Sequence, residues 1–404
     1  MGQESASFVT PSVFSGRLPP NLAPNRLARA LAARRRANLP IIDLTESNPT
    51  RAGFEYPEDL LAPLADRRGL QYVPHPFGLE ETRAAAAAEY RRRGVQVDPT
   101  RIVLTASTSE AYSLLFKLLA NPGDEVLVPR PSYPLLELLA ELDGVQARSY
   151  DLEYHGIWSI DWASVEQAMG PRTRAVLVVS PNNPTGSFVT RSDLDRLSRL
   201  CGTHDIALIA DEVFAEYELE QGAADDAGRV LETTGPLVCS LGGLSKSIGL
   251  PQMKLGWIAV AGPEQTVVEA LERLEVIGDT YLSVSTPVQL AAPRLLECGA
   301  VVRNQIAARV KQNYQHLKSR VASVPACRVL FAAGGWYAVV QVPTLRSEEE
   351  LVLELLDRDG VLVHPGYFFN FSSESFLVVS LLVPEAQFLT GVERLFDRAC
   401  HVGV

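Results

Sequence analysis

An α/β fold is the class this sequence predicts, and two observations predict it. From about residue 100, short apolar, β-branched runs alternate with amphipathic stretches of ten to fifteen residues. The runs are continuously apolar, the pattern of strands buried on both faces of a mostly parallel sheet flanked by helices. They fall at 101–105, 125–129, 175–180, 206–211, 237–240 and 255–260. Near Ser285-Thr286-Pro287 the alternation gives way to helical periodicity that lasts to about Val324. A strand start at Gly334-Gly335-Trp336-Tyr337, a helix near Glu348 to Asp359 and a closing strand at Ser375 to Ser380 follow. This tail reads as a smaller α+β domain. The first fifty residues hold a Pro-punctuated lead-in, a helix near Arg26 to Ala37 and a short apolar run at Pro40 to Leu44. That stretch has no core of its own and is expected to join the tail, so the smaller domain is built from both chain ends. The expected division is 1–50, 51–290 and 291–404.

Composition bounds the function. With 404 residues, 47% apolar and 21% charged, the chain is long and apolar enough for two or three folded domains. A net charge of −11 argues against nucleic acid as a partner, because that footprint is basic. The arginine runs at 34–36 and 91–93 lie in Ala-rich helical stretches and are read as solvated faces. No run of about 18 apolar residues suggests a membrane span. Met1 to Ala6 show neither a secretory pattern nor, with Ala6 in place of Ser or Thr, a myristoylation pattern. The five cysteines are odd in number and widely spaced, which argues against a disulfide framework or a zinc site. No metal site is expected, and the cytoplasm is the expected compartment.

In an open α/β sheet ligands bind at the carboxyl ends of the strands, so the polar residues just past each run are the candidates. After Thr105 come Ala106, Ser107, Thr108 and Ser109, opening a helical pattern. Small hydroxyl residues at a strand-to-helix turn suit a phosphate, and a plain helix cap explains them equally well. After Ser180 comes Pro181-Asn182-Asn183-Pro184-Thr185-Gly186, which a turn alone would also explain. Asp211 ends an apolar strand, where an ionised carboxylate is costly unless a cation lies beside it. After Ser240 a turn of small residues leads to Lys246. Lysine is scarce, at 117, 246, 254, 311 and 318 only, and Lys246 beside a buried sheet is a candidate amine nucleophile.

Taken in order, Ser180 to Gly186, Ala210-Asp211-Glu212-Val213-Phe214, Gly243-Leu244-Ser245-Lys246 and Lys254-Leu255-Gly256 resemble the class I/II aminotransferases. These are pyridoxal-phosphate enzymes of the aspartate-aminotransferase fold, fold type I. The resemblance runs from about Leu44 to Leu382. It implies a large pyridoxal 5′-phosphate-binding domain over 51–290 and amino transfer between an amino acid and a 2-oxo acid. Lys246 would hold the cofactor as a Schiff base and then shuttle the substrate's α-proton. Asp211 would pair with the pyridine nitrogen, and Asn183 would bond the ring's phenolic oxygen. Ser107, Thr108 and Ser109 would cradle the phosphate, with Lys254 adding charge where the family usually has Arg. Tyr133 would stack on the ring. Tyr72 would reach the neighbouring subunit's phosphate, which makes the enzyme a homodimer with shared sites.

Two positions depart from the family pattern. Phe214 replaces a tyrosine whose hydroxyl bonds the ring oxygen, so the Schiff base is expected to be less acidic unless Tyr217 substitutes. Val378 stands where an Arg usually forks the substrate carboxylate, and an apolar side chain cannot replace a bidentate guanidinium. Arg17 is the candidate substitute. Tyr281 occupies the place of the second arginine of dicarboxylate-specific members, so the substrate is expected to be neutral or aromatic. Phe368, Phe369 and Phe371 could line such a pocket, or simply pack. A lyase or synthase on the same scaffold shares every motif up to the carbanion and is the alternative reading. A ligand-sensing regulator would need a DNA-binding module that the first fifty residues are too few to supply.

Overall fold

The computed structural model describes residues 13–19 and 21–400. The readings made on Met1 to Ala6, and the first twelve residues of the expected 1–50 segment, lie outside them. The chain begins with α1 (Arg26–Arg36) and β1 (Ile42–Asp43), then α2 (Glu80–Arg92). The large sheet is built next, from β2 (Ile102–Thr105), α3 (Thr108–Leu119), β3 (Glu125–Arg130), α4 (Leu135–Leu142), β4 (Gln146–Tyr154), β5 (Trp158–Ile160) and α5 (Trp162–Ala168). It continues through β6 (Thr173–Val179), α6 (Arg191–His204), β7 (Ala207–Asp211), β8 (Val238–Gly243), α7 (Leu244–Ser247) and β9 (Gly256–Ala261). The helices α8 (Glu264–Tyr281) and α9 (Thr286–Cys298) follow.

Strand order in this eight-stranded sheet is β2-β9-β8-β7-β6-β3-β4-β5. The β3/β4, β3/β6, β6/β7 and β7/β8 pairs are parallel, while β9 runs against both β8 and β2. Six strands therefore point the same way, and the turns after β2, β3, β6, β7 and β8 open on one edge. Leu208, Ile209 and Ala210 of β7 are completely buried, which is why that strand reads as an unbroken apolar run. The structure adds β4 and β5, which carry no such run. They form the sheet's outer edge, and β4 leaves alternate residues exposed.

The remaining elements are α10 (Ala300–Val321), β10 (Arg328–Val329), β11 (Tyr337–Gln341), α11 (Glu348–Glu354), β12 (Val361–Leu362), β13 (His364–Pro365), β14 (Phe376–Ser380) and α12 (Glu385–Cys400). An antiparallel sheet β10-β11-β14-β13 forms beside the β1-β12 pair. Helix α12 buries Phe388, Gly391, Val392, Leu395, Phe396 and Ala399, one stripe at helical spacing. That stripe packs into one core with Leu27 of α1, Leu44, and Ile306 and Val310 of α10. Helix α1 and the β1 segment thus share the smaller unit's core. The expected boundary at 290 falls inside α9, whose Ala291, Ala292, Leu295 and Leu296 bury against the large sheet. The change of partner comes at Gly299, where α10 begins to fill the other core.

Of the two arginine runs, Arg35, Arg36, Arg91 and Arg92 are exposed, and Arg34 and Arg93 are partly buried. Arg34 donates to the carbonyls of Pro40 and Asp357, and Arg93 lies over the Tyr90 ring facing Glu212 and Glu216. All five cysteines are free thiols. Among the described residues no helix is long and apolar enough to cross a membrane, and no cluster of potential ligands could hold a metal ion.

Candidate active site

Turns from five parallel strands meet at the carboxyl edge of the large sheet and enclose one cleft. Thr108, Ser109 and Tyr112 of α3, Tyr133, Asn183, Asp211 and Lys246 line it, together with Ser47 and Tyr337 from the smaller unit. Each side chain is delivered by local chemistry. Ser107 caps α3 by accepting the Glu110 N–H at 3.1 Å, which leaves the first turn's Thr108 and Ser109 at the helix's positive end. Gly256 lets this turn come close, since a Cβ there would lie 3.0 Å from the Ser107 carbonyl carbon. Asp211 is the last residue of β7, between β6 and β8. Lys246 lies on the single-turn helix that follows β8.

The amine of Lys246 makes no hydrogen bond among the described residues. It lies 4.9 Å from the Trp336 ring centroid and 5.7 Å from that of Phe214. Burial pushes this amine down to about 8, and the Asp211 carboxylate opposes the shift. Burial likewise raises the Asp211 carboxyl, against hydrogen bonds from the Val213 N–H and the Tyr112 hydroxyl and the charge of Lys246. The sign for stability follows from proton counting. Between pH 8 and 10.5 the unfolded chain keeps a proton on this lysine that the folded chain has released, so stability rises with pH. In the ligand-free protein, the stability deficit relative to Lys246→Met is expected to shrink by about 3 kcal/mol as pH rises from 7 to 10.5. Urea unfolding of both proteins across that range checks it, and a constant difference contradicts it.

Several sequence-predicted residues lie elsewhere. The Ser107 side chain is used as the helix cap. Lys254 is exposed just past a 3-10 turn and does not line the cleft. Tyr72 is 77% exposed and lines a separate hollow with Tyr281. Val378 is fully buried in the smaller sheet, paired with Val339 and His364. Arg17 lies outside the cleft, donating to the Leu142 carbonyl at 3.1 Å. The Tyr217 hydroxyl donates to the carbonyls of Lys246 and Ser247, so it does not replace the hydroxyl missing at Phe214. Phe369 is buried and Phe371 stacks on Phe376; neither lines the cleft, nor does Phe368. Its apolar wall is Leu135, Leu136 and Leu139 of α4 with Val179, Val213 and Phe214.

The sequence reading missed Tyr112, Ser47, Tyr337 and Trp336. Tyr112 carried a signal: it lies three and four residues beyond Ser109 and Thr108, on the same helix face. The others come from the smaller unit and are placed by long-range contacts. Gly186, at φ 71°, is one: its carbonyl accepts the N–H groups of Ala333 and Gly334, and a Cβ there would lie 2.6 Å from Ala332. That contact docks the segment carrying Trp336 against the turn that carries Asn183.

A cleft with an amine, a carboxylate and a helix N-terminus at the edge of such a sheet defines a cofactor-dependent group-transfer enzyme. Residues 40–395 match the family model for aminotransferase class I and II. The chain belongs to this family, whose members work with pyridoxal 5′-phosphate, and it is an aminotransferase. It is 26% identical over 350 residues to glutamate-pyruvate aminotransferase AlaA of Haemophilus influenzae, covering 84% of this chain and 86% of that one. It is also 26% identical to tyrosine aminotransferase of Bos taurus, covering 80% and 73%. The structure of alanine aminotransferase from Pyrococcus furiosus superposes with a TM-score of 0.82 at 25% identity, covering 92% of this chain and 95% of that one. An aminotransferase from Escherichia coli superposes at 0.84 and 22% identity, over 96% and 98% of the two chains.

Proposed function

We propose that the cleft moves the amino group of a neutral or aromatic amino acid onto a 2-oxo acid through Lys246. The observation that carries this is the pairing of Lys246 with Asp211 in one cleft that Asn183 also lines, its side-chain carboxamide making no hydrogen bond among the described residues. A carboxamide without a protein partner beside a free amine fits a cofactor whose ring oxygen would accept from the amide N–H and whose aldehyde would take the amine. When bound, pyridoxal phosphate supplies the electron sink.

The residues supply the rest. Lys246 holds the cofactor through its amine, then takes the α-proton at Nζ and returns it, a task suited to an amine whose pKa is about 8. Asp211 would pair with the ring nitrogen and keep it charged, while the Asn183 side-chain N–H would donate to the ring oxygen. Thr108 and Ser109 hold the phosphate at the α3 N-terminus, with the Ser107 backbone, and Tyr133 covers the ring. Tyr72, exposed in one subunit, serves the site of the other in a homodimer, and Lys254, outside the cleft lining, is given no part in it. The two units divide at Gly299, and the free cysteines favour the cytoplasm.

The cleft's charged side chains are Lys246 and Asp211, and no guanidinium lines it among the described residues. A second carboxylate on the substrate would find no cation there. The α-carboxylate would meet the neutral donors Ser47 and Tyr337, which line the cleft from the smaller unit. The relatives' names, alanine and tyrosine aminotransferase, support the same substrate class. The test is a panel of amino acids mixed with the holoenzyme while the cofactor spectrum is followed. Conversion to the pyridoxamine form with release of oxo acid, strongest for neutral and aromatic donors, is expected. Release of ammonia with the aldehyde form retained contradicts the reading.

Phe214 gives a further expectation. A hydroxyl restored at this position would donate to the ring oxygen and favour the deprotonated amine linkage. Phe214→Tyr is therefore expected to lower the pH midpoint of the bound cofactor's visible absorbance, by about one unit for one hydrogen bond worth roughly 1.4 kcal/mol. Superimposable titrations of the two proteins would sink this.

A further inference from the structure

Asp211 receives one donor on each oxygen. The Val213 N–H reaches Oδ1 at 3.1 Å, and the Tyr112 hydroxyl reaches Oδ2 at 2.8 Å. The tyrosine is only 3% exposed, and its ring packs in the large-sheet core with Leu115, Leu136 and Leu241. Phenylalanine would fill that space as well. The hydroxyl is what needs a reason, because a buried phenol is costly without a partner, and Asp211 is the partner it has. Its position on α3 adds to this. Thr108, Ser109 and Tyr112 share one face of a helix of 12 residues, so a single rigid element presents both the hydroxyl turn and the carboxylate's donor.

We propose that Tyr112 is a positioning residue for amino transfer: its hydroxyl fixes the rotamer and the ionised form of Asp211, and α3 sets the distance between phosphate and carboxylate. This rests on the assignment of Asp211 to the cofactor ring nitrogen. A half-buried carboxylate takes its proton affinity from its donors. Without the Tyr112 hydroxyl, Asp211 becomes more basic, and the proton it shares with the ring nitrogen moves toward the carboxylate. The ring then holds less positive charge.

The test uses wild type, Tyr112→Phe, Asp211→Ala and the double variant. Cofactor affinity is read by equilibrium dialysis, and ring protonation by nitrogen NMR of ring-labelled pyridoxal phosphate. Tyr112→Phe is expected to weaken cofactor binding roughly tenfold, as loss of a hydrogen bond to a charged group does. The ring-nitrogen resonance is expected to move toward that of neutral pyridine. In the Asp211→Ala background the same substitution is expected to change neither readout. Unchanged affinity and resonance in Tyr112→Phe, or an equal loss in both backgrounds, overturns the proposal. If Asp211→Ala matches wild type in both readouts, the assignment of Asp211 fails first, and the proposal falls with it.

Discussion

Lys246→Ala is expected to lower turnover by on the order of 10⁴-fold, the upper range for loss of a positioned acid–base group. The size of the effect follows from how alone this amine is in the cleft. Lys254 is exposed and outside the cleft lining, and Lys117 pairs with Asp143 on the far side of α3. No other lysine can take over proton transfer at the α-carbon. The rings of Trp336 and Phe214 hold the amine in a poorly hydrated place, which keeps it titrating near working pH. Single-turnover oxo-acid release checks the expectation. A variant that keeps more than a few per cent of the wild-type rate contradicts it.

Asp211→Asn carries the second large effect. The amide keeps the volume of the carboxylate; its oxygen can still accept the Val213 N–H while its NH2 faces the Tyr112 hydroxyl as a donor, and it carries no charge. The expected loss is about 10²–10³-fold in kcat, the range found when one preorganised electrostatic contact to a reacting centre is removed. Cofactor affinity falls as well, since a charge-assisted contact becomes a neutral one. Steady-state rates at saturating cofactor separate the two effects. A kcat within threefold of wild type would show that ring protonation does not depend on this residue.

The large unit was legible in the sequence wherever strands are buried on both faces. All six apolar runs are strands of the large sheet, because each of them, the outermost β2 and the antiparallel β9 included, is covered on both faces and has no solvent face to break the pattern. The strand β4, next to the outermost strand, escaped for the complementary reason: its exposed Gln146, Arg148 and Glu153 interrupt the signal. The candidates read at strand ends come together as well: Thr108, Ser109, Tyr133, Asn183, Asp211 and Lys246 line one cleft. What depends on side-chain direction was not. Ser107 spends its hydroxyl on the helix, and Val378, although on a strand of the smaller sheet, is fully buried there. Ser47, Tyr337 and Trp336 reach the site only because the smaller unit docks through contacts such as Gly186 with Gly334, and the Phe369 carbonyl with the Ser132 N–H. Of the two readings of Phe368, Phe369 and Phe371, packing is the one that holds, and the apolar wall of the cleft comes instead from the leucines of α4.

Reduction of the holoenzyme with borohydride, followed by digestion and mass analysis of every lysine-containing peptide, asks the most direct question. The pyridoxyl group is predicted on the peptide that contains Lys246 and on no other. Label found at Lys254 or Lys117, or a protein that takes up the vitamin yet retains none after reduction, would contradict the assignment on which the chemistry is built.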